Sequence, residues 1–223
     1  MSEFDSESPF ENEWEERGDL AWNEFDWERY LREQDGAIHR YLAHYESLQP
    51  SLDRIDEAAR RMGWEPSESS DTSEEPADEA PAEAEDFSEE DVYTLHKNPV
   101  FIATKAIYLS LRRSWEKLAS EEEKVPPPLA LAFLTSLHQG EDQAIQAIHA
   151  LDFGDYAMAV SQFKRALSAL NGSLALLTDE RAARLRTVMA YRECALVRLF
   201  DLREIWLRVV NECREELDRP SEE

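Results

Sequence analysis

The chain has 223 residues, 24 Lys+Arg against 49 Asp+Glu for a formal net charge of −25, and only 6 glycines. That charge repels nucleic-acid phosphates and anionic headgroups, which excludes direct nucleic-acid binding and attachment to an anionic membrane. So little glycine argues against sandwiches, barrels and Gly-rich phosphate loops, each of which needs many tight turns. Residues 1–98 hold 30 acids and 8 bases, net −22, while 99–223 hold 19 and 16, net −3, so the acidity belongs to the front of the chain.

Residues 1–20 read as an acidic, aromatic, disordered tail. Its opening has no apolar core and is therefore no secretory signal. No stretch of the chain approaches the ~18 apolar residues of a membrane helix. Phe4, Phe10 and Trp14 stand among Asp and Glu. They are either the anchors of a short motif that folds onto a partner or parts of a flexible tail.

Residues 21–64 read as a helical hairpin. Trp22, Phe25 and Trp27 are expected to begin its first helix and to pack on the rest of the molecule. Leu31, Ile38, Tyr41, Tyr45, Leu48, Leu52, Ile55, Ala59 and Met62 recur at steps of three and four, one apolar stripe with Gln34 in its missing slot. Pro50 interrupts it, and Ser51 is expected to cap the second segment. Met62-Gly63-Trp64 is a helix stop, with glycine in the left-handed position and tryptophan folding back.

Between Glu65 and Asp86 the chain contains only Glu/Asp (10), Ser/Thr (5), Ala (4) and Pro (3). Ordering it would cost backbone entropy with no burial in return, so 65–87 is expected to be a disordered linker. From 88 to 219 the pattern predicts a bundle. Ser88 and the acids after it open a short helix through His96, and Asn98-Pro99 restarts the chain as cap and first helical residue. Phe101, Thr104, Tyr108, Leu111, Trp115 and Leu118 form the next stripe. Pro126–Pro128 separate it from a helical stretch over Leu129–Leu151, which Gly140 either splits or weakens.

Thr178 is expected to cap a last helix running to Leu217, near 58 Å if unbroken. Its seam is Leu185, Val188, Arg192, Ala195, Leu199, Leu202, Trp206, Val209 and Cys213. A stripe of that length must be covered, either within the chain or by a second copy, so a homodimer through this helix is open. Cys194 and Cys213 lie roughly 28 Å apart on it, beyond bridging distance, and reduced cysteines fit a cytoplasmic protein.

Catalytic and metal patterns fail one by one. The residues three before His39, His44, His96, His138 and His149 are Gly36, Tyr41, Tyr93, Thr135 and Gln146, so the Glu-x-x-His pairs of diiron bundles are absent. His138 and His149 would share a face of a continuous helix with Asp142 and Asp152 nearby, a metal site in outline but more simply surface histidines. No CxxC, GxSxG or phosphate loop is present. No catalytic residue, cofactor or metal ligand is therefore assigned.

Gly154, Tyr156, Ala159, Phe163, Ala166 and Leu167 carry a local resemblance. Residues 141–171 resemble one tetratricopeptide-type helical hairpin, with the glycine at the inter-helix turn and small and aromatic residues on the second helix. Gln143, Gln146 and Ala150 depart from the family's large residues, Asn171 replaces its closing proline, and a 34-residue shift finds no second copy. The resemblance implies an ordinary antiparallel hairpin or a relative of helical-repeat adaptors. The stretch also resembles HEPN-type bundles, some of which cleave RNA through an Arg–His pair. The nearest such spacing, Arg32 to His39, is flanked by Glu33 and Asp35, which does not suit an RNA substrate.

The expected fold is all-α: an antiparallel bundle of about four helices, an additional N-terminal hairpin and a disordered acidic linker. The expected function is a non-catalytic protein–protein interaction, adaptor or regulatory, with another protein as partner. The alternatives are a small-molecule- or metal-binding bundle, an enzyme among them, whose site forms only in three dimensions, and an acidic mimic of nucleic acid.

Overall fold

The computed structural model describes residues 22–48, 51–64, 98–121 and 123–219, and among these the chain is helical with no strand. The elements are α1 (Glu24–Ser47), α2 (Arg54–Arg61), α3 (Pro99–Ala119), α4 (Pro127–Asp152), α5 (Tyr156–Thr178), a single turn α6 (Glu180–Ala183) and α7 (Arg186–Asp218). The tail, the whole linker and the short helix expected over 88–96 lie outside the described residues.

Helix α3 is apolar nearly all round, so it takes the centre. Phe101–Thr104, Ala106–Tyr108, Ser110, Leu111 and Trp115 are all buried. Asn98 starts it, its Oδ1 accepting the N–H groups of Val100 at 3.0 Å and Phe101 at 3.1 Å, with Pro99 at the first helical position. Helices α4 and α7 flank α3, and α5 closes the four-helix ring by packing on both. Neighbours in the ring are antiparallel. Along α3 and α7, Trp206 Nε1 donates to Thr104 Oγ1 at 3.2 Å while Arg198 Nε donates to Ser110 Oγ at 3.1 Å. The core fills with large rings: Trp115 lies 4.5 Å from Phe133 and 5.0 Å from Tyr191, and Trp206 stacks on Tyr108 at 6.1 Å.

Gly140 neither splits nor kinks its helix: α4 runs unbroken through it. A Cβ at this position would overlap the Tyr108 hydroxyl, so the glycine marks a close approach of α3 to the α4 backbone rather than a turn.

The last helix differs from the expectation. Thr178 is the final residue of α5, its hydroxyl turned back to the carbonyls of Leu174 and Ala175, and is no N-cap. The chain reverses through α6 and an extended Leu185, so α7 is 33 residues, or about 50 Å. Residues 179–184 hold no member of the seam, which begins only at Leu185, although Ala182 is buried there. Val188, Ala195, Leu199, Leu202, Trp206, Val209 and Cys213 are buried by the chain's own helices. The buried part of the seam is thereby covered within one molecule.

Helix α1 packs on α3, with α2 folded beside it. Gly63 takes φ 75°, and Trp64 donates its N–H to the Ala59 carbonyl and stacks on Tyr41 at 5.4 Å, the stop read from the sequence. Ser51 does not cap α2. The N-cap is Asp53, and Ser51 Oγ only accepts the Asp53 N–H at 3.2 Å. Leu52 therefore falls in the turn and is 95% exposed, off the stripe where periodicity placed it.

Candidate interaction surface

Interior carboxylates are the first groups to weigh. Asp201 of α7 is buried and held by three hydrogen bonds: Arg54 grips it with Nε at 2.5 Å and Nη2 at 2.8 Å, and the Tyr45 hydroxyl donates to the same carboxylate. Burial, then the negative Asp201, holds the Tyr45 phenol above its usual value. Burial pulls the Arg54 guanidinium down, but its hydrogen bonds to Asp201 and the neighbouring charges of Tyr45 and Asp201 together hold it raised. Arg54 also donates to the Ser51 and Val197 carbonyls, so the cluster is a clamp joining α1, α2 and α7. Around it Arg208 takes Asp56 bidentately at 2.5 and 3.2 Å, and Ser110 donates to Glu46 at 2.8 Å.

Glu141 forms the second cluster. It is 4% exposed and lies between Arg112 Nη1 at 2.6 Å and Lys105 Nζ at 2.9 Å. The lysine contact is an ion pair whose direction is not that of a hydrogen bond, leaving Oε1 without one. Its role is to fasten α4 to α3.

These residues escaped the sequence reading, though one signal was present. Glu141 occupies the empty slot of Leu137, Ala144 and Ile148, and Asp201 shares a face with Arg198 and Ile205. A charge inside an apolar stripe is a buried ion pair in waiting.

The histidines do not form a site. His138 and His149 are both exposed on continuous α4, and eleven residues separate them by roughly 16 Å along the axis, far beyond what one metal spans. No group of three or more His, Cys, Asp or Glu able to hold a metal occurs among the described residues. At the α4–α5 turn, Gly154 has φ 73°, Ala159, Phe163 and Ala166 are buried, Leu167 is half-buried and Tyr156 is exposed. Phe4, Phe10 and Trp14 lie outside the described residues.

The feature left for function is the front half of α1. Asn23 caps the helix with a capping box to Asp26. Tyr41 and Ala103 line one groove and Glu46 meets Ser110, so α1 runs parallel to α3. Asn98 caps α3 at the level of Asp152, to which it donates at 3.4 Å. Extending this register, Glu24–Gly36 projects roughly 20 Å beyond the start of α3. None of residues 22–36 is buried. Trp22, Phe25 and Trp27 thus begin the helix as expected but do not pack on the bundle. Trp22 meets Trp27 at 4.8 Å and Tyr30 at 5.4 Å, edge to face, while Phe25 is 73%, Trp27 52% and Leu31 48% exposed. The stripe that is core at Ile38, Tyr41 and Tyr45 continues into the open.

No family model matches the chain, and no match to it was found among the curated proteins or the solved structures. No helix among the described residues is long and apolar enough to cross a membrane.

Proposed function

We propose that this is a non-catalytic interaction protein, an adaptor or regulator that engages another protein through the projecting half of α1. One observation carries the reading: an apolar stripe continuous with the core leaves the bundle and stays uncovered at Trp27 and Leu31. Large exposed apolar side chains gathered on one element mark recognition surfaces rather than ordinary surface. The local likeness of residues 141–171 to a tetratricopeptide-type hairpin supports the same class, since helical-repeat relatives are adaptors. Cys194 and Cys213, both free, fit a cytoplasmic setting.

Affinity capture at low salt tests the proposal, with the full chain and its Trp27→Ser/Leu31→Ser variant as paired baits. The expected result is a stoichiometric protein that the variant loses. Equal recovery by both baits, or measurable catalytic turnover by the chain alone, would overturn it.

A further inference from the structure

The partner's chemistry can be read from the flanks of the arm. At about 100° per residue, Trp27 and Leu31 line up with Ile38 and Tyr45 on the side of α1 that faces α3 lower down. The same rotation places Glu24, Glu28 and Asp35 along one edge of this stripe, while Asp26 and Glu33 lie farther round the helix on the other side. All of the arm's bases fall on the opposite face. Arg29, Arg32 and Arg40 share it with Phe25 and Gly36, and these residues, with Glu28 and Glu33, line one shallow groove there. Arg29 pairs with Asp26 at 3.0 Å and Arg32 with Glu28 at 2.8 Å, drawing those two acids outward, while Glu24 and Asp35 remain on the rim.

The neighbourhood has the same sign. Helix α7 runs antiparallel to α1, as Tyr45–Asp201 and Glu46–Arg198 require, so its last turn lies at this end. There Glu212, Glu215, Glu216 and Asp218 outnumber Arg214 and Arg219 around the half-exposed Leu217, with Arg219 paired to Glu216 at 2.9 Å. Residues 1–21, which lead into the arm, hold 8 acids and 1 base. A second copy of this chain, at −25, meets like charge along this edge.

Resting on the interaction reading above, we infer that the arm receives a basic amphipathic helix: an apolar stripe seated on Trp27 and Leu31, flanked on one side by Lys or Arg facing Glu24 and Asp35. The stripe supplies the binding energy, and the acidic rim sets orientation and excludes acidic helices.

Three labelled peptides of equal length serve as probes by fluorescence anisotropy: a Leu/Lys amphipathic helix, its Leu/Glu counterpart, and a Lys/Ser peptide with the same charge and no apolar stripe. The full chain is expected to bind Leu/Lys at least tenfold more tightly than either control, with affinity weakening as salt rises. Trp27→Ser/Leu31→Ser should lose that tenfold at unchanged helical circular dichroism, and Glu24→Lys/Asp35→Lys should lose it while gaining affinity for Leu/Glu. Lys/Ser binding equal to Leu/Lys would mean bulk charge attraction and would overturn the inference. Tighter binding of Leu/Glu, still dependent on Trp27 and Leu31, overturns the charge assignment and leaves the interaction reading standing. Self-association in sedimentation velocity that the Trp27→Ser/Leu31→Ser variant abolishes identifies a second copy and overturns the basic helix. If no peptide's binding depends on Trp27 and Leu31, the inference and the interaction reading fail together.

Discussion

Two interfaces in this molecule are built on opposite principles. Helices α4 and α5 meet through small residues: Gly140 faces Ala169, Ser136 shares a 2.7 Å hydrogen bond with Ser173, and Ala144, Ala147, Ala159 and Ala166 are fully buried. The α1–α2 hairpin meets the bundle through charge, with Arg54–Asp201 at its heart and Arg208–Asp56 and Glu46–Ser110 around it. Close apolar packing gains from every atom in contact and degrades gradually when one is lost. A buried ion pair adds little net stability when intact and is costly to break, because the surviving partner stays buried without compensation. The bundle core is thus the graded interface and the hairpin clamp the brittle one.

Breaking the clamp should give the largest effect. Asp201→Ala leaves Arg54 buried among Tyr45 and the Ser51 and Val197 carbonyls, and a loss of about 3–5 kcal/mol is expected in urea unfolding. A loss below about 1 kcal/mol would show that apolar contacts alone hold the hairpin. Tyr45→Phe removes one hydrogen bond to a charged acceptor and should cost about 1.5–3 kcal/mol by the same measurement. On the packed side, Gly140→Ala drives a methyl into the Tyr108 hydroxyl and should cost about 1–3 kcal/mol, most of it recovered in Gly140→Ala/Tyr108→Phe. Absence of that recovery would place the strain elsewhere in α4.

Alkaline pH tests both interfaces at once. Burial, ahead of neighbouring charges, raises Tyr41 and Tyr45 at the clamp and Tyr108 and Tyr191 in the core. Each folded value lies above the unfolded one of about 10, so their contribution is complete below pH of about 10 and is lost as pH rises beyond it. The urea midpoint should fall above that pH, and Tyr45→Phe should shallow the fall. The smallest effect belongs to the arm: Phe25→Ser, at a side chain that buries little, should stay within about 0.5 kcal/mol.

Legibility followed the range of the forces. The Asn98-Pro99 start, the Gly63-Trp64 stop and the Gly154 turn were readable because each depends on residues within one helical turn. The stripes of α3 and α7 were readable for the same reason, since three-four spacing fixes a face before any partner is known. Thr178 misled because a threonine hydroxyl can cap a following helix or turn back on a preceding one, and the choice depends on where α5 must stop to let α7 return. Trp22, Phe25 and Trp27 misled because composition says that aromatics favour burial and not whether a surface is present to bury them.

What the sequence determined by itself was the helical class, the helix faces and most of the stops, all set by backbone sterics and local hydrogen bonding. Only the tertiary structure decided that Gly140 meets Tyr108, that Arg54 closes on Asp201 across 147 residues, and that α1 outruns the helix it rests on. Those outcomes depend on relative lengths and registers of helices distant in the chain. A local pattern carries no information about where its neighbour ends.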